Sequence, residues 1–229
     1  MLKIAQSADK AVSAITEGST VLIGGFGTAG QPIELIDALR RHGAGNLTVV
    51  NNNAGNGDVG LAALLGAGLV SRIICSFPRQ VDSYIFDELY RSGKIELEVV
   101  PQGTLAERIR AGGAGIAGFY TRTSAGTPLA AGKESRIFDG KEYVLERPIR
   151  GDFALVKAHI SDGMGNLVYR KTARNFGPIM AAAANASIVQ VSQIVETGEL
   201  DPEIIVTPCI YVDTVVQIDA DATHGKAQA

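Results

Sequence analysis

The chain has 229 residues, of which 21 are Lys or Arg and 24 are Asp or Glu, so its formal net charge is −3. A chain of this length can bury a sizeable core in one domain without disulfide staples. Its charge balance leaves no basic surplus for a run of phosphates, and no apolar run approaches the roughly 18 residues needed to cross a bilayer. We therefore expect a cytoplasmic protein with neither a nucleic-acid partner nor a membrane partner.

Seven apolar, β-branched runs bounded by turn residues predict strands. They are residues 20–23, 47–50, 72–75, 96–99, 153–156, 187–191 and 211–218. Stretches with helical periodicity lie between the early ones, at 32–42, 59–65, 83–91 and 104–111. This alternation predicts an α/β fold whose open, mainly parallel sheet is covered by helices on both faces.

The pattern changes after Ala111, where the glycine-rich run 112–115 opens a stretch to about residue 148 with little helical period. This stretch predicts a loop with hairpins inserted in the α/β fold. Asp139 and Gly140, between short alternating flanks, predict a two-residue hairpin turn, and residues 162–166 predict a second tight turn. No linker divides the chain, so we expect one domain over 1–229, with 220–229 as a flexible polar tail.

The cysteines and histidines indicate neither redox nor metal chemistry. Cys75 and Cys209 each lie inside an apolar stretch, which favours two buried thiols in a reducing compartment over a redox pair. His42, His159 and His224 are far apart and show no metal-ligand spacing. We therefore expect no metal site and no permanently bound cofactor.

A glycine-rich loop follows the first predicted strand. Gly25, Gly27 and Gly30 satisfy G-x-G-x-x-G, so a dinucleotide-binding fold is one hypothesis. Two features count against it. The next strand ends in three asparagines, 51–53, instead of the acidic residue that holds a ribose, and Pro32 delays the helix and supplies no amide donor.

Two interpretations of this loop remain open on the residues alone. Glycines let a chain turn sharply between a strand and a helix, which requires no ligand. The loop also lies at the carboxyl end of a strand, where open α/β sheets bind ligands. Backbone amides exposed there can hold an anionic or carbonyl oxygen.

Four blocks of sequence between residues 18 and 208 carry a family resemblance. They are VLIGGF at 21–26 followed by Gly30 and Pro32, NNAG at 52–55, PQGTLAERIR at 101–110, and ARNFGP at 173–178. In this order they resemble the A subunit of the class I 3-oxoacid CoA-transferases. Segments 51–60 and 75–79 are most similar to the members that act on 3-oxoadipate, whereas acetoacetate enzymes share the larger blocks.

The resemblance implies an enzyme that is completed by a second chain. The family's nucleophile is a glutamate in a Ser-Glu-Asn-Gly run of the B subunit, and this sequence contains no Ser-Glu dipeptide. We therefore expect no catalytic nucleophile here, a B-subunit partner in an A2B2 assembly, and CoA thioesters and 3-oxoacids as substrates. The implied chemistry is ping-pong, with CoA moved from succinyl-CoA to the 3-oxoacid through a glutamyl-CoA thioester on the partner.

The resemblance also assigns binding residues. It implies that CoA contacts the whole glycine loop, namely Gly24, Gly25, Phe26, Gly27, Thr28, Ala29 and Gly30. Fixed donors aimed at a developing oxyanion lower the barrier of acyl transfer, and amides without a Cβ nearby are suited to that role.

Six residues are candidates for binding the acyl substrate. These are Asn52, Asn53, Gln102, Gly115, Arg79 and Arg122. The Gln102 amide would bind a carboxylate without forming an ion pair, before a helix that Thr104 and Glu107 would cap. By spacing alone the asparagines form a plain turn and Gln102 is a surface residue.

The two arginines are candidates for the distal charge of a dicarboxylic substrate, which is costly to bury unpaired. Residues 122–128, RTSAGTP, depart from the family's usual Pro-Thr-Gly-Tyr/Val-Gly-Thr run. The position of any substrate contact in that segment is therefore open. Each arginine is also interpretable as a solvated surface residue.

Three functional hypotheses follow. The first is the A subunit of a 3-oxoadipate or acetoacetate CoA-transferase. The second is a stand-alone dinucleotide-binding domain, and the third is a non-catalytic protein that binds small acyl anions at the glycine loop. Activity that requires a B chain would support the first hypothesis, and tight NADH binding by the lone chain would support the second.

Overall fold

The computed structural model of the protein describes residues 2–218, and the predicted tail 220–229 lies outside these residues. In chain order the strands are β1 (Lys3–Ile4), β2 (Thr20–Ile23), β3 (Leu47–Val50), β4 (Val70–Cys75), β5 (Glu96–Val99), β6 (Phe119–Thr121), β7 (Ser135–Phe138), β8 (Lys141–Glu146), β9 (Gly151–Lys157), β10 (Ile160–Asp162), β11 (Leu167–Val168), β12 (Ala184–Val191), β13 (Gln193–Val195) and β14 (Thr214–Gln217). The α-helices are α1 (Ala8–Val12), α2 (Ile33–His42), α3 (Leu61–Gly66), α4 (Tyr84–Arg91), α5 (Gln102–Gly113) and α6 (Gly177–Ala183). Short 3-10 helices span Pro128–Ala130, Lys171–Arg174, Pro202–Ile204 and Cys209–Tyr211.

The main sheet has eight strands in the order β1-β14-β12-β9-β2-β3-β4-β5, and all its pairings are parallel. Two three-stranded sheets accompany it, β11-β10-β13 and β6-β8-β7. The α/β fold class is therefore confirmed. Predicted strands 20–23, 47–50 and 96–99 have the observed bounds, whereas predicted strand 211–218 is wrong at its start because Cys209–Tyr211 is a 3-10 turn.

Apolar residues pack on both faces of the main sheet. Along β2, Val21 and Ile23 face one core and Leu22 faces the other, as the alternation of a strand requires. Helices α1 to α4 contribute to the first core, and α5 and α6 contribute to the second. The predicted two-sided cover by helices is confirmed, and no helix within residues 2–218 is long and apolar enough to span a bilayer.

The observed start of helix α5 differs from the predicted start at Thr104, because a different residue occupies the N-cap position. Helix α5 begins at Gln102, after Pro101 at the N-cap position, so Thr104 lies inside the helix instead of capping it. The Thr104 hydroxyl is buried without a hydrogen-bond partner, and Glu107 bonds to Arg110. The predicted capping by Thr104 and Glu107 is therefore wrong. Helices α1 and α6 have no counterpart among the predicted elements, since five and seven residues are too short for a clear period.

Both predicted tight turns are present. Asp139 and Gly140 join β7 to β8 with φ angles of 50° and 70°, the positive pair that a type I′ hairpin needs. In the second turn the Gly165 amide donates to the Asp162 carbonyl at 3.1 Å. The buried Asp162 carboxylate also accepts from the amides of residues 164, 165 and 166.

A buried ionic network attaches the β6-β8-β7 sheet to the main sheet. The Glu146 carboxylate, only 2% exposed, accepts from Lys133 Nζ at 2.6 Å and lies 3.8 Å from Arg108 Nε. Arg108 also donates to Glu98 of β5 at 2.7 Å. Partial burial alone would raise the pKa of the Glu98 carboxyl, but hydrogen bonds from Arg108 and Arg72 outweigh this effect and lower the pKa. The carboxylate therefore stays charged at neutral pH.

A Glu146→Gln variant should lose about 2 kcal/mol of unfolding free energy, because Lys133 would lose its carboxylate partner and Arg108 would keep only Glu98. Urea denaturation measures this change. Glu142→Gln is the matched control, since Glu142 is an exposed residue of the same strand. Equal stability of the two variants would show that the network contributes nothing.

The two cysteines differ in burial, so the prediction of two buried thiols holds for Cys75 and is wrong for Cys209, which is half-buried. Burial raises the pKa of the Cys75 thiol to about 12, so it stays protonated at neutral pH. In native protein we expect a thiol reagent such as Ellman's reagent to modify Cys209 first and Cys75 only after unfolding. Cys209→Ser should remove the fast phase, and a persisting fast phase would contradict this assignment.

Candidate functional site

The order of the main sheet reverses between β2 and β9. From β2 the chain adds β3, β4 and β5 on one side, then returns to add β9, β12 and β14 on the other. Open α/β sheets bind ligands at the carboxyl ends of the strands where this reversal occurs. The glycine loop, residues 24–30, follows β2 at that point.

The loop makes a tight turn held by its own backbone. The Phe26 amide donates to the Ala29 carbonyl at 3.0 Å, and the Ala29 amide donates back to Phe26 at 3.2 Å. Gly27 occupies the turn between them with a φ of 60°. At the base of the loop the Gly24 amide donates to Leu155 of β9 at 2.9 Å, which fixes the loop across the reversal point.

The remaining amides of the loop have no acceptor within the described part of the protein. Within residues 2–218, the amides of Gly25, Gly27, Thr28 and Gly30 donate to no protein acceptor. Those of Gly24, Phe26 and Ala29 are used by the fold. The loop predicted to contact CoA thus divides into four amides without a protein acceptor, of which that of Gly25 belongs to a buried residue, and three that shape the loop.

Residues 173–178, the ARNFGP block, pack against the glycine loop. A Cβ built on Gly30, whose φ is 74°, would lie 2.5 Å from the Ala173 carbonyl oxygen, so the two backbones are in direct contact. Asn175 Nδ2 donates to the Ala29 carbonyl at 3.0 Å and to Thr172 at 2.7 Å. The ARNFGP block therefore serves to hold the glycine loop, a role that its residues alone do not reveal.

Helix α2 is also fixed next to the loop, by the buried Gln190 of β12. Its Oε1 accepts from the Leu35 amide at 3.3 Å, and its Nε2 donates to the Glu34 carboxylate. The carboxylate of Glu34, the first acidic residue after the loop in sequence, therefore already has a hydrogen-bond partner within the protein. The isolated position of Gln190 in an apolar strand is the only signal of this contact in the sequence.

The three asparagines after β3 lie beside the loop and are all buried. Asn51 Nδ2 donates to the Ile23 carbonyl at 2.6 Å, and Asn51 Oδ1 accepts from the Asn53 amide at 2.9 Å. Asn52 Oδ1 accepts from the Ser76 hydroxyl at 2.7 Å, which ties the asparagine run to the end of β4. The sequence identifies Asn51 only as part of a turn, whereas in the structure Asn51 joins the ends of β2 and β3.

Asn53 faces the glycine loop directly. Its Oδ1 is buried and has no hydrogen-bond partner. With Gly27 and Thr28 it lines a small cavity of about 30 Å³, which is more than the roughly 10–15 Å³ that a single water needs. The structure therefore brings Asn53 and the glycine loop to one small cavity.

Gln102 and Arg79 lie at the same edge of the sheet but farther along it. Gln102 is exposed at the start of α5, after β5, and three strand spacings of the sheet separate β5 from β2, about 14 Å. Arg79 follows β4, and its guanidinium lies 2.6 Å from Asp87, whose pKa this hydrogen bond lowers.

Gly115 and Arg122 are not brought to this edge. Helix α5 runs back along the sheet, and its last residue, Gly113, lies against the Ala182 carbonyl just before β12 begins. Gly115 therefore lies near the amino edge. Arg122 is an exposed residue after β6, in the three-stranded sheet that is attached through Glu146. Within residues 2–218 no cluster of His, Cys, Asp and Glu is arranged to hold a metal ion.

The coenzyme A transferase family model matches residues 5–218, and the chain belongs to this family. It is 62% identical over 227 residues to the A subunit of 3-oxoadipate CoA-transferase from Pseudomonas putida, covering 99% of this chain and 98% of that protein. It is 64% identical over 218 residues to the protein of the same name from Acinetobacter baylyi, covering 95% and 96%. It is 49% identical to the A subunit of succinyl-CoA:3-ketoacid coenzyme A transferase from Helicobacter pylori, covering 94% and 92%.

Solved structures share the fold. Glutaconate coenzyme A-transferase from Acidaminococcus fermentans superposes with a TM-score of 0.84 at 19% identity, over 96% of this chain and 77% of that chain. An acyl-CoA transferase from E. coli O157:H7, solved as a thioester complex with CoA, gives a TM-score of 0.82 at 22% identity over 95% of this chain. The chain spans 47%, about half, of that protein's length.

Proposed function

We propose that the chain is the A subunit of a two-subunit enzyme that moves CoA from succinyl-CoA to a 3-oxoacid, with 3-oxoadipate preferred over acetoacetate. The observation that carries the proposal is the identity of 62% and 64%, over nearly the whole chain, to two proteins named as A subunits of 3-oxoadipate CoA-transferase. The subunit name implies a B partner. We further propose that the assembly is A2B2 and works in the cytoplasm.

In this mechanism the partner's glutamate is the nucleophile. Its carboxylate attacks the succinyl thioester carbonyl and releases CoA thiolate, leaving a mixed anhydride. The thiolate then attacks the glutamyl carbonyl of the anhydride and succinate leaves, which gives the glutamyl-CoA thioester. The carboxylate of the 3-oxoacid repeats the two steps in reverse, so that the new acyl-CoA leaves and the glutamate is regenerated.

This chain supplies fixed donors for the oxygen that becomes negative in each step. The free amides of Gly25, Gly27, Thr28 and Gly30 are candidates, because the loop is held rigidly by Asn175 and Leu155. A preorganised donor of this kind contributes about 3 kcal/mol of barrier lowering. The donors are uncharged, so they stabilise the oxyanion without pairing permanently with a carboxylate.

The acyl substrate is proposed to lie between the loop, Asn52 and Asn53, and to extend along the carboxyl edge toward Gln102. The partner completes this site. Arg79 remains a candidate for the distal carboxylate if it exchanges Asp87 for the substrate, whereas Gly115 and Arg122 would act from outside the described site. Arg79→Leu and Arg122→Leu, assayed with succinyl-CoA and acetyl-CoA, test selectivity, and equal losses on both substrates reject it.

The experiment that tests the function uses the chain alone, the B chain alone and the co-expressed pair. Only the pair should form 3-oxoadipyl-CoA from succinyl-CoA and 3-oxoadipate. After incubation of the pair with succinyl-CoA, mass spectrometry should find the CoA adduct on the B chain. A CoA adduct on this chain, or turnover by this chain alone, would overturn the proposal. A higher kcat/KM with acetoacetate than with 3-oxoadipate would show that acetoacetate is the preferred substrate.

A further inference from the structure

Strand β7 forms one edge of the small β6-β8-β7 sheet, and within residues 2–218 no other strand pairs with its outer side. All four of its residues are exposed, with Ile137 at 69% and Phe138 at 43%. An exposed apolar edge is a template on which another strand can add. Proline, lysine or a bulge would block such pairing, but β7 contains neither residue and its register with β8 is regular.

The outer side of β7 carries the backbone groups of Ser135 and Ile137. The Leu145 amide of β8 donates to the Glu134 carbonyl at 2.8 Å, so the carbonyl of Glu134 points toward β8. Because these directions alternate along an antiparallel strand, the N–H and C=O groups of Ser135 and Ile137 point away from β8. In the described part of the chain, no backbone hydrogen bond outside the small sheet uses these two residues. Their four polar groups can therefore pair with an added strand.

One face of this edge carries a cation and an anion two residues apart. Arg136 Nε lies 3.0 Å from Glu134 Oε1. Tyr120 of β6 belongs to the same face, since its hydroxyl donates to Glu134 and its ring centre lies 5.3 Å from Arg136 Cζ. The hydrogen bond from Tyr120 lowers the pKa of the Glu134 carboxyl, which is therefore charged at neutral pH. Opposite charges spaced in this way are complementary to a reversed copy of the same strand.

The charges select one register for two antiparallel copies of β7. A two-fold axis through Arg136 would set two arginines opposite each other, which is unfavourable. An axis through Ile137 would require an extended Asp139, whose φ is 50°. An axis through Ser135 places Glu134 of each copy opposite Arg136 of the other. These residues form pairs without backbone hydrogen bonds, where opposing side chains are closest, so this register joins opposite charges twice.

We propose that β7 pairs with β7 of a second copy of this chain, antiparallel and centred on Ser135, so that the two small sheets become one six-stranded sheet. The inference rests on the proposed function, because it assigns the contact between the two A subunits of the A2B2 assembly. The Ser135 amide of each copy donates to the Ser135 carbonyl of the other, and the Ile137 amide donates to the Lys133 carbonyl. Two-fold symmetry makes each contact occur twice.

The first test exchanges charges in the complex of this chain with its B partner, and analytical ultracentrifugation measures the mass of the complex. Wild type should be a 2:2 complex. Glu134→Arg gives β7 two cations and Arg136→Glu gives it two anions, so each variant should weaken the association of two AB units at least about tenfold. An equimolar mixture of the two variants should recover the 2:2 complex. The contact between residues 134 and 136 within each chain stays broken in the mixture, so only pairing between chains explains recovery.

The second test removes one outward amide. Ser135→Pro deletes the N–H group at the two-fold axis without removing a hydrogen bond to β8, since proline is tolerated where the N–H faces away from the sheet. Ser135→Ala, which keeps the amide, is the matched control. We expect a 1:1 complex for Ser135→Pro and a 2:2 complex for Ser135→Ala. Urea unfolding checks that both variants fold, and if Ser135→Pro does not, the charge variants decide the proposal.

A wild-type complex of 1:1, a folded Ser135→Pro variant that remains 2:2, or a mixture of charge variants that stays 1:1 overturns the proposal. Loss of the B chain from the Ser135→Pro complex also overturns it and assigns the edge of β7 to the B partner. If wild type binds the B chain but transfers CoA to no acceptor, the proposed function fails, and the masses still decide this interface. If wild type binds no B chain, the same measurements on this chain alone decide it.

Discussion

A Gly30→Ala variant is expected to lose about 100-fold in kcat/KM for succinyl-CoA, the scale of loss that a displacement of about 1 Å at a reacting group produces. The added methyl would lie 2.5 Å from the Ala173 carbonyl oxygen, closer than atoms approach without movement. Neither side can yield easily, because both are backbone. The loop must therefore move away from Ala173, which displaces its free amides.

Gly27→Ala is the matched control for this variant. Gly27 lies in the same loop and also has a positive φ, of 60°, but an added methyl would meet nothing within 4 Å. Both variants carry the backbone cost of a left-handed alanine, about 1 kcal/mol. Gly27→Ala should stay within about tenfold of wild type. Equal losses in the two variants would show that the contact with Ala173 has no part in positioning the loop.

Asn51→Leu is expected to lower the free energy of unfolding by about 3 kcal/mol. The side chain is fully buried and satisfies two backbone groups, the Ile23 carbonyl and the Asn53 amide. Leucine has a similar volume but leaves both groups without a partner. Urea unfolding measures the loss. Asn185→Leu, at an exposed asparagine of β12, should change stability by less than about 0.5 kcal/mol.

An Asn51→Asp variant tests the hydrogen bond to Ile23 separately from the one to Asn53. A carboxylate accepts from the Asn53 amide but cannot donate to the Ile23 carbonyl, and burial should raise the pKa of the new carboxyl above its unfolded value of about 3.9. A raised pKa in the folded state means that stability is greatest below the unfolded pKa and falls as pH rises toward the folded one. This variant should therefore approach wild-type stability at low pH. A loss of unfolding free energy that is the same at every pH would contradict the role of the Asn51 Nδ2 group as a donor to Ile23.

The parts of the fold that the sequence predicts are those that local physics determines. Strand β2 is a continuous apolar run because helices cover both its faces, and the Asp139-Gly140 turn needs two positive φ angles that few residue pairs supply. The same locality explains the failures. Thr104 and Glu107 have capping-box spacing, but Pro101 starts the helix earlier, and that competition is decided by the chain that leads in from β5.

The candidate site is predictable only in part, because its support comes from distant sequence. Gly30 is interpretable as a turn glycine or a ligand contact, but the carbonyl of Ala173 that makes it necessary lies 143 positions later in the chain, 173 − 30. Asn175 and Gln190 are likewise informative only once β9 and β12 are seen beside β2. Pairings of this kind have no local signature.

The reversal of strand order between β2 and β9 also has a consequence for biosynthesis. When a ribosome has released residues 1–113, β2 to β5 and their helices are available, but the neighbour that flanks β2 on its other side has not been made. The N-terminal half therefore emerges with an unprotected strand edge and a glycine turn lacking its support. Because such long-range parallel pairing is slow, this nascent intermediate is the stage at which chaperones would matter most to the protein.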